Sequence, residues 1–243
     1  MIVLALDTST PRGSVSLRVG DRRTSRFFDA SRTVAEQVPV LPVALLAEGG
    51  LTLRDVDRFA VVSGPGGFTG LRVGMATVQG FALAAGRLVL PVPTLDALVI
   101  ASRDASHDKE GTMVLALMDG QRGELFSARY RRVSGAWRDE CVDAPVVGGW
   151  PRREADWRSL VDGVDTAVVL GGGRWPDAEA CVRLGDHVPS VRVVETSLAD
   201  AIAGVAGRAL ADDFIRPHAV QPTYVRRPDA ELARDARATD GRA

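Results

Sequence analysis

The residue types suited to chemistry on an anion lie in Ser63-Gly64-Pro65-Gly66-Gly67-Phe68-Thr69-Gly70-Leu71-Arg72. An apolar run, Phe59 to Val62, leads into this stretch, and Leu71, Met75, Val78 and Ala82 leave it at helical spacing. A glycine-rich turn opening a helix offers free backbone N–H groups and the positive end of the helix dipole to a phosphate or carboxylate. It serves equally as a tight strand-to-helix turn without a ligand, because the Lys-Ser/Thr ending of a P-loop and the G-x-G-x-x-G spacing are both missing. Asp7 and Asp119 end two matching apolar runs. Facing each other across a cleft, they could hold a metal-nucleotide, with Ser9, Gly66 and Gly67 as further anion contacts. Alternatively, each carboxylate caps its own hairpin turn. His107, His187 and His218 fall in separate polar stretches with no i, i+4 pair, which argues against a metal site. No Ser in a G-x-S-x-G elbow and no Cys beside a His marks a covalent nucleophile. Neither a metal nor a cofactor is expected.

These residues need a scaffold of 243 residues, enough for one large domain or two lobes. The 46% apolar and 25% charged content is that of a soluble globular chain. A net charge of −1 gives no global attraction to nucleic acid or an anionic membrane. Cys141 and Cys181, without C-x-x-C spacing, read as reduced thiols. No basic leader precedes the apolar start, and no apolar run approaches the ~20 residues of a membrane span. A cytoplasmic protein without membrane contact is the expectation.

Ile2–Leu6 reads as a strand buried on both faces, Ser14–Val19 as a half-buried strand and Thr24–Phe28 as a third. A helix is predicted over Val34–Glu48, with Thr33 and Glu36 at capping-box spacing and a kink from Pro39 and Pro42. Thr69 is the predicted N-cap of the helix that ends near Gly86, and Thr94 that of the next. Val3-Leu4-Ala5-Leu6 then recurs as Val114-Leu115-Ala116-Leu117, with Asp119 answering Asp7 and Arg122-Gly123 answering Arg12-Gly13. Thr166–Leu170 running into Gly171-Gly172-Gly173 echoes Val61-Val62 running into the first glycine turn. The repeat predicts two related α/β lobes with mixed sheets, over 1–105 and 106–225, followed by a charged tail, 226–243, mobile or helical only in part. Val133–Asp165, with Trp137, Trp150 and Trp157 in polar surroundings, reads as an insertion, and Ser197 as the cap of a helix over Leu198–Leu210.

Gly70, Gly74, Thr77, Gly80 and Ala84 form a stripe of small residues on the helix after the turn. A glycine inside a helix costs ~1 kcal/mol against alanine. The spacing therefore predicts close approach of a second helix, either that near Val38–Leu46 or one from another subunit.

Leu4-Ala5-Leu6-Asp7-Thr8-Ser9-Thr10 and Ser63–Gly74 resemble the TsaB (YeaZ) family, and Pro93–Leu98, Met118–Glu124 and Pro222–Arg226 continue the match in order. Val133–Pro189 matches poorly, and Val34 stands where many relatives carry a histidine. The resemblance implies a two-lobed actin-like (ASKHA, ribonuclease H-like) fold. It also implies a non-catalytic subunit in the synthesis of tRNA N6-threonylcarbamoyladenosine at position 37. The implied partners are a TsaD-type catalytic subunit and a TsaE-type ATPase, with tRNA reached indirectly through the complex and a homodimer as the assembly of the chain alone. The partner contact would fall on the first lobe's helices, at Gly70, Leu71, Gly74, Thr77 and Gly80. A nucleotide-dependent phosphotransferase using Asp7, Asp119 and the glycine turns is the alternative.

Overall fold

The computed structural model describes residues 1–104, 109–151, 154–171 and 189–225. The predicted tail, Gly172-Gly173, His107, His187 and Cys181 lie outside the described residues.

Strands β1 (Ile2–Asp7), β2 (Ser14–Val19), β3 (Arg22–Phe27), β4 (Arg58–Val62) and β5 (Val89–Val92) form one sheet in the order β3-β2-β1-β4-β5. The first three make an antiparallel meander, and β4 and β5 continue parallel to β1. A second sheet of β6 (Met113–Gln121), β7 (Glu124–Arg131), β8 (Glu140–Gly149), β9 (Thr166–Leu170) and β10 (Ser190–Val194) has the order β8-β7-β6-β9-β10 and the same pattern of directions. The repeated apolar runs thus hold the same central position in two separate sheets. This is the duplicated mixed-sheet α/β arrangement that the repeat predicts and the resemblance implies.

Val133–Asp165 is not an insertion. It contains β8, which answers β3, and α5 (Glu154–Val161). Trp150 and Trp157 pack with α5 over Leu115, Leu117 and Leu125 on the outer face of the second sheet. An indole with one polar edge can cover a sheet while its neighbours in sequence stay wet, so polar surroundings misidentify it.

Pro39 separates α1 (Val34–Gln37) from α2 (Leu41–Glu48), and Pro42 falls in the first turn of α2, where its missing N–H costs nothing. Glu36 accepts a hydrogen bond from Thr33 N (3.1 Å), as the capping-box spacing predicts. Helix α3 (Phe68–Ala85) joins α2 on the outer face of the first sheet, over Leu4, Leu6, Phe59 and Val61. The alternate residues, Val3, Ala5, Ala60 and Val62, face inward. A strand buried from both sides must be apolar at every position, which is how β1 reads.

Two helices fill the space between the sheets, and they cross over. Helix α4 (Thr94–Ala101) packs on β6, β7 and β9 of the second sheet, α6 (Leu198–Ala206) packs on β1, β2 and β4 of the first, and the two touch. One apolar core therefore runs from Val3 and Ala60 through Leu98 and Ile202 to Val114 and Val168. Ser197 caps α6 by accepting from Asp200 N (3.1 Å), and its hydroxyl donates to Ser14 of β2 (2.8 Å). At the other end Arg58 donates to Ala206 O (2.6 Å) and Arg18 to Gly204 O (3.0 Å), placing cations where the helix dipole is negative.

The end of α4 is held in the same way. Arg132 donates to Val99 O (3.1 Å) and Ser102 Oγ (3.0 Å), and it shares the fully buried Asp139 carboxylate with Arg103 at 2.7 and 2.6 Å. Removing one partner of a buried ion pair leaves the other desolvated, at about 3–5 kcal/mol. Asp139→Ala is therefore expected to lower unfolding free energy by that order. Urea titration checks this, and a loss below about 1 kcal/mol, the size of an exposed pair, contradicts it.

Candidate functional site

Three distant segments converge on the turn before α3. Gly64 adopts φ +110°, open to glycine and strained for other residues, and any side chain there would meet the carbonyl of Thr223. Thr223 N donates to Ser63 O (2.7 Å), and Thr94 donates through N to Gly64 O (2.8 Å) and through Oγ1 to Pro65 O (2.6 Å). Thr94 thus ties α4 to the turn rather than capping its own helix, a role filled by Pro93. From the third side Gly67 N donates to Ser9 O (2.7 Å). The N-cap of α3 is Gly67, whose carbonyl accepts from Leu71 N (2.9 Å); the predicted cap, Thr69, lies inside the first turn.

The close neighbour of α3 is the end of β1, where the spacing had predicted a second helix. A β-carbon at Gly66 would meet the Ser9 backbone, one at Gly70 the Thr8 carbonyl, and one at Gly74 the Thr8 hydroxyl. The five residues expected at a partner contact do not share a face. Gly70 and Gly74 point at Thr8, and Leu71 is fully buried in the outer core. Thr77 is half-buried and donates to Val73 O (2.9 Å), whereas Gly80 is exposed with open space before it. The outward side of α3 also exposes Ala76, Leu83 (61%) and Ala84; in the same outer layer Val43 (43%) of α2 and Val40 (63%) at its N-cap are exposed.

Asp7 and Asp119 do the same local job in their two lobes. Asp7 accepts from Ser9 N (2.8 Å) and Ser9 Oγ (2.7 Å), and Asp119 accepts from Gln121 N (2.7 Å). Their surroundings differ. Asp119 is half-buried, but Asp7 is buried, and desolvation outweighs the Ser9 hydrogen bonds and raises its pKa from 3.8 to about 6. The cavity beside Asp7, with Thr10, Arg12, Phe27, Glu195 and Leu198 in its wall, measures about 20 Å³, and Asp119 is not part of that wall. It has room for a water, where small-molecule sites measure roughly 300–1,000 Å³. Arg12 spans it to Glu195 (3.2 Å) while stacking on Phe27 (4.5 Å), and the Glu195 carboxylate occupies the space a side chain on Gly171 would need. Among the described residues no group of three or more His, Cys, Asp and Glu is placed to hold a metal.

Residue spacing gave no sign of one further contact. Tyr224 stacks on Phe68 (centroids 5.2 Å apart), and Arg72 donates to its hydroxyl (2.8 Å) with the guanidinium 3.8 Å above Phe68. The motif blocks at either end of the chain thus meet at the head of α3.

Residues 28–146 match the family profile described as TsaD, tRNA N6-adenosine threonylcarbamoyltransferase. The chain is 30% identical to the tRNA threonylcarbamoyladenosine biosynthesis protein TsaB of Escherichia coli over 73% of its own length and 74% of that protein's. It is 32% identical to an uncharacterized protein of Mycobacterium tuberculosis over 94% and 93%. YeaZ from Pseudomonas aeruginosa superposes with a TM-score of 0.68 at 28% identity, over 92% of this chain and 99% of that one.

Two outcomes follow from the geometry. Gly74→Leu drives a side chain into Thr8 and is expected to cost about 1–3 kcal/mol, lowering Tm by roughly 2–12 °C in a chain of this size. An unchanged Tm in a thermal melt contradicts the close contact. For Asp7, the folded chain holds its proton up to about pH 6 and the unfolded chain only to about 3.8, so stability falls as pH rises between those values. Asp7→Asn keeps the acceptor without the charge. It should stabilise by up to ~3 kcal/mol at pH 7.5, a gain that vanishes below about pH 4. Denaturant midpoints of both proteins across that range test the sign.

Proposed function

Because the chain belongs to the TsaB (YeaZ) family of tRNA threonylcarbamoyladenosine biosynthesis proteins, we propose that it acts there as the non-catalytic scaffolding subunit. Its partner in this reading is a TsaD-type catalytic chain, which a TsaE-type ATPase joins, and the complex works on tRNA in the cytoplasm. No described helix is long and apolar enough to cross a membrane, in keeping with that location. The observation that carries the non-catalytic role is the small cavity among the described residues, about 20 Å³, bridged by Arg12 and Glu195 beside a carboxyl group whose charge burial disfavours.

The docking surface in this reading is the outer side of α2 and α3. Val40, Val43 and Leu83 are exposed there, while Ala76, Gly80 and Ala84 carry too little side chain to hold another backbone away. Of the residues expected from sequence, Gly80 and the half-buried Thr77 belong to this surface. Gly70, Leu71 and Gly74 support it from within. A homodimer through the same face is the expected assembly of the chain alone.

Leu83→Asp and Gly80→Arg change exposed positions and are expected to leave Tm within about 1–2 °C. Each should weaken capture of the purified TsaD-type subunit by tenfold or more. Gly74→Leu should do the reverse, lowering Tm first. Wild-type affinity in both surface variants moves the interface elsewhere. ATP turnover by the isolated chain that disappears in Asp7→Asn, with the fold intact, overturns the non-catalytic role.

A further inference from the structure

Arg72 is the one charged residue of α3, and it is both exposed and held in place. Its Nε donates to the Tyr224 hydroxyl (2.8 Å), and its guanidinium lies 3.8 Å from the Phe68 ring centre and 5.8 Å from that of Tyr224. Among the described residues no carboxylate pairs with Arg72, and its two Nη groups make no hydrogen bond. A guanidinium stacked on a ring and anchored at Nε has already given up its side-chain freedom. It keeps the two-nitrogen fork that fits a carboxylate. Leu83 lies about three helical turns, ~16 Å, further along the same line of α3, with Ala76 and Gly80 exposed between them. The face is otherwise neutral. α3 has no acidic residue, and α2 has one, Glu48, which Arg26 already holds (2.6 Å).

We propose that Arg72 is the charged end of the docking surface and takes a carboxylate of the TsaD-type subunit. That Asp or Glu sits ~16 Å from the apolar side chain that covers Leu83. Charge complementarity selects it, since a single cation closing a neutral, small-residue face matches a helix with one acid at the corresponding end. A phosphate backbone calls for cations repeated along its path, and from Val73 to Leu83 the helix carries none. A second copy of this chain would bring no acid on α3 and only the paired Glu48 on α2, so Arg72 favours a different chain over self-association. Tyr224 is a positioning residue in this arrangement, because it aims the fork without supplying the charge. The inference rests on the reading of α2 and α3 as the surface for the TsaD-type subunit, and adds what that subunit presents and at which end.

The test is isothermal titration calorimetry of the full chain with the purified TsaD-type subunit at 50 and 300 mM salt. Tm and self-association are measured on the same samples. Arg72→Gln should weaken binding about tenfold at 50 mM salt and by less at 300 mM, with Tm within about 1–2 °C of wild type. Arg72→Glu should weaken it further through like-charge repulsion, and Arg72→Lys should weaken it less, since the charge stays while the fork is lost. Tyr224→Phe keeps the ring and frees the guanidinium. It should cost less than Arg72→Gln, and nothing more when combined with it. Wild-type affinity in Arg72→Gln, or an Arg72→Glu no weaker than Arg72→Gln, overturns the proposal. An equal loss of self-association assigns the carboxylate to a second copy, and a loss confined to binding of a tRNA transcript assigns the fork to phosphate; either also overturns it. Leu83→Asp separates the two readings. If it weakens binding and Arg72→Gln does not, the docking surface stands and its charged end fails. If neither does, the surface itself fails and this contact with it.

Discussion

No side chain fits between the end of β1 and the helix α3. Thr8 and Ser9 lie against Gly66, Gly70 and Gly74 with backbone and hydroxyl where β-carbons would otherwise stand. This single close approach fixes the first lobe. It brings the carbonyl of Ser9, two residues past β1, to Gly67 N, sets where α3 begins, and turns the remaining side of α3 outward. Thr94 and Thr223 then bind the same turn from other directions, so both α4 and the end of the described chain are positioned by it. Of the two glycines that could cradle a phosphate, Gly67 donates its N–H to Ser9 O and Gly66 lies against the Ser9 backbone.

The second constraint is the crossing of α4 and α6. Each lies on the sheet of the opposite half, and their mutual contact merges two duplicated units into one core. Helix ends placed between sheets would leave carbonyls unsatisfied, and arginines meet that need: Arg18 and Arg58 from strands at α6, and Arg132, just past β7, at α4. The long reach and fork of a guanidinium suit this task, since one side chain can bind a helix carbonyl and a buried carboxylate together, as Arg132 does with Val99 and Asp139.

Much of this was legible in sequence because burial leaves a pattern. Continuous apolar runs marked β1 and β6, the prolines marked the break between α1 and α2, and the order of motifs marked the duplication. β8 was not legible. It is an edge strand, mostly exposed, with Pro145 and two terminal glycines, and only its pairing with β7 makes it a strand. The glycine stripe announced a close contact but not its partner, because helix spacing reports the face and says nothing of what lies opposite. For the same reason the five residues assigned to one interface divided between the β1 contact, the core and the surface.

Asp7 and Asp119 show where local sequence stops being informative. Both cap a turn from the same place in the same topology, and their hydrogen bonds follow the same i to i+2 pattern. What separates them is burial, supplied for Asp7 by Phe27 and by Glu195 and Leu198 from the other half of the chain. A carboxyl group that burial drives toward its neutral form is a poor seat for a cation, and among the described residues the cavity beside it has room for about one water. The duplicated fold keeps its symmetry in the backbone and loses it in the dielectric. On the outside, the exposed side of α3 is small and apolar, with Val43 of α2 beside it in the same outer layer.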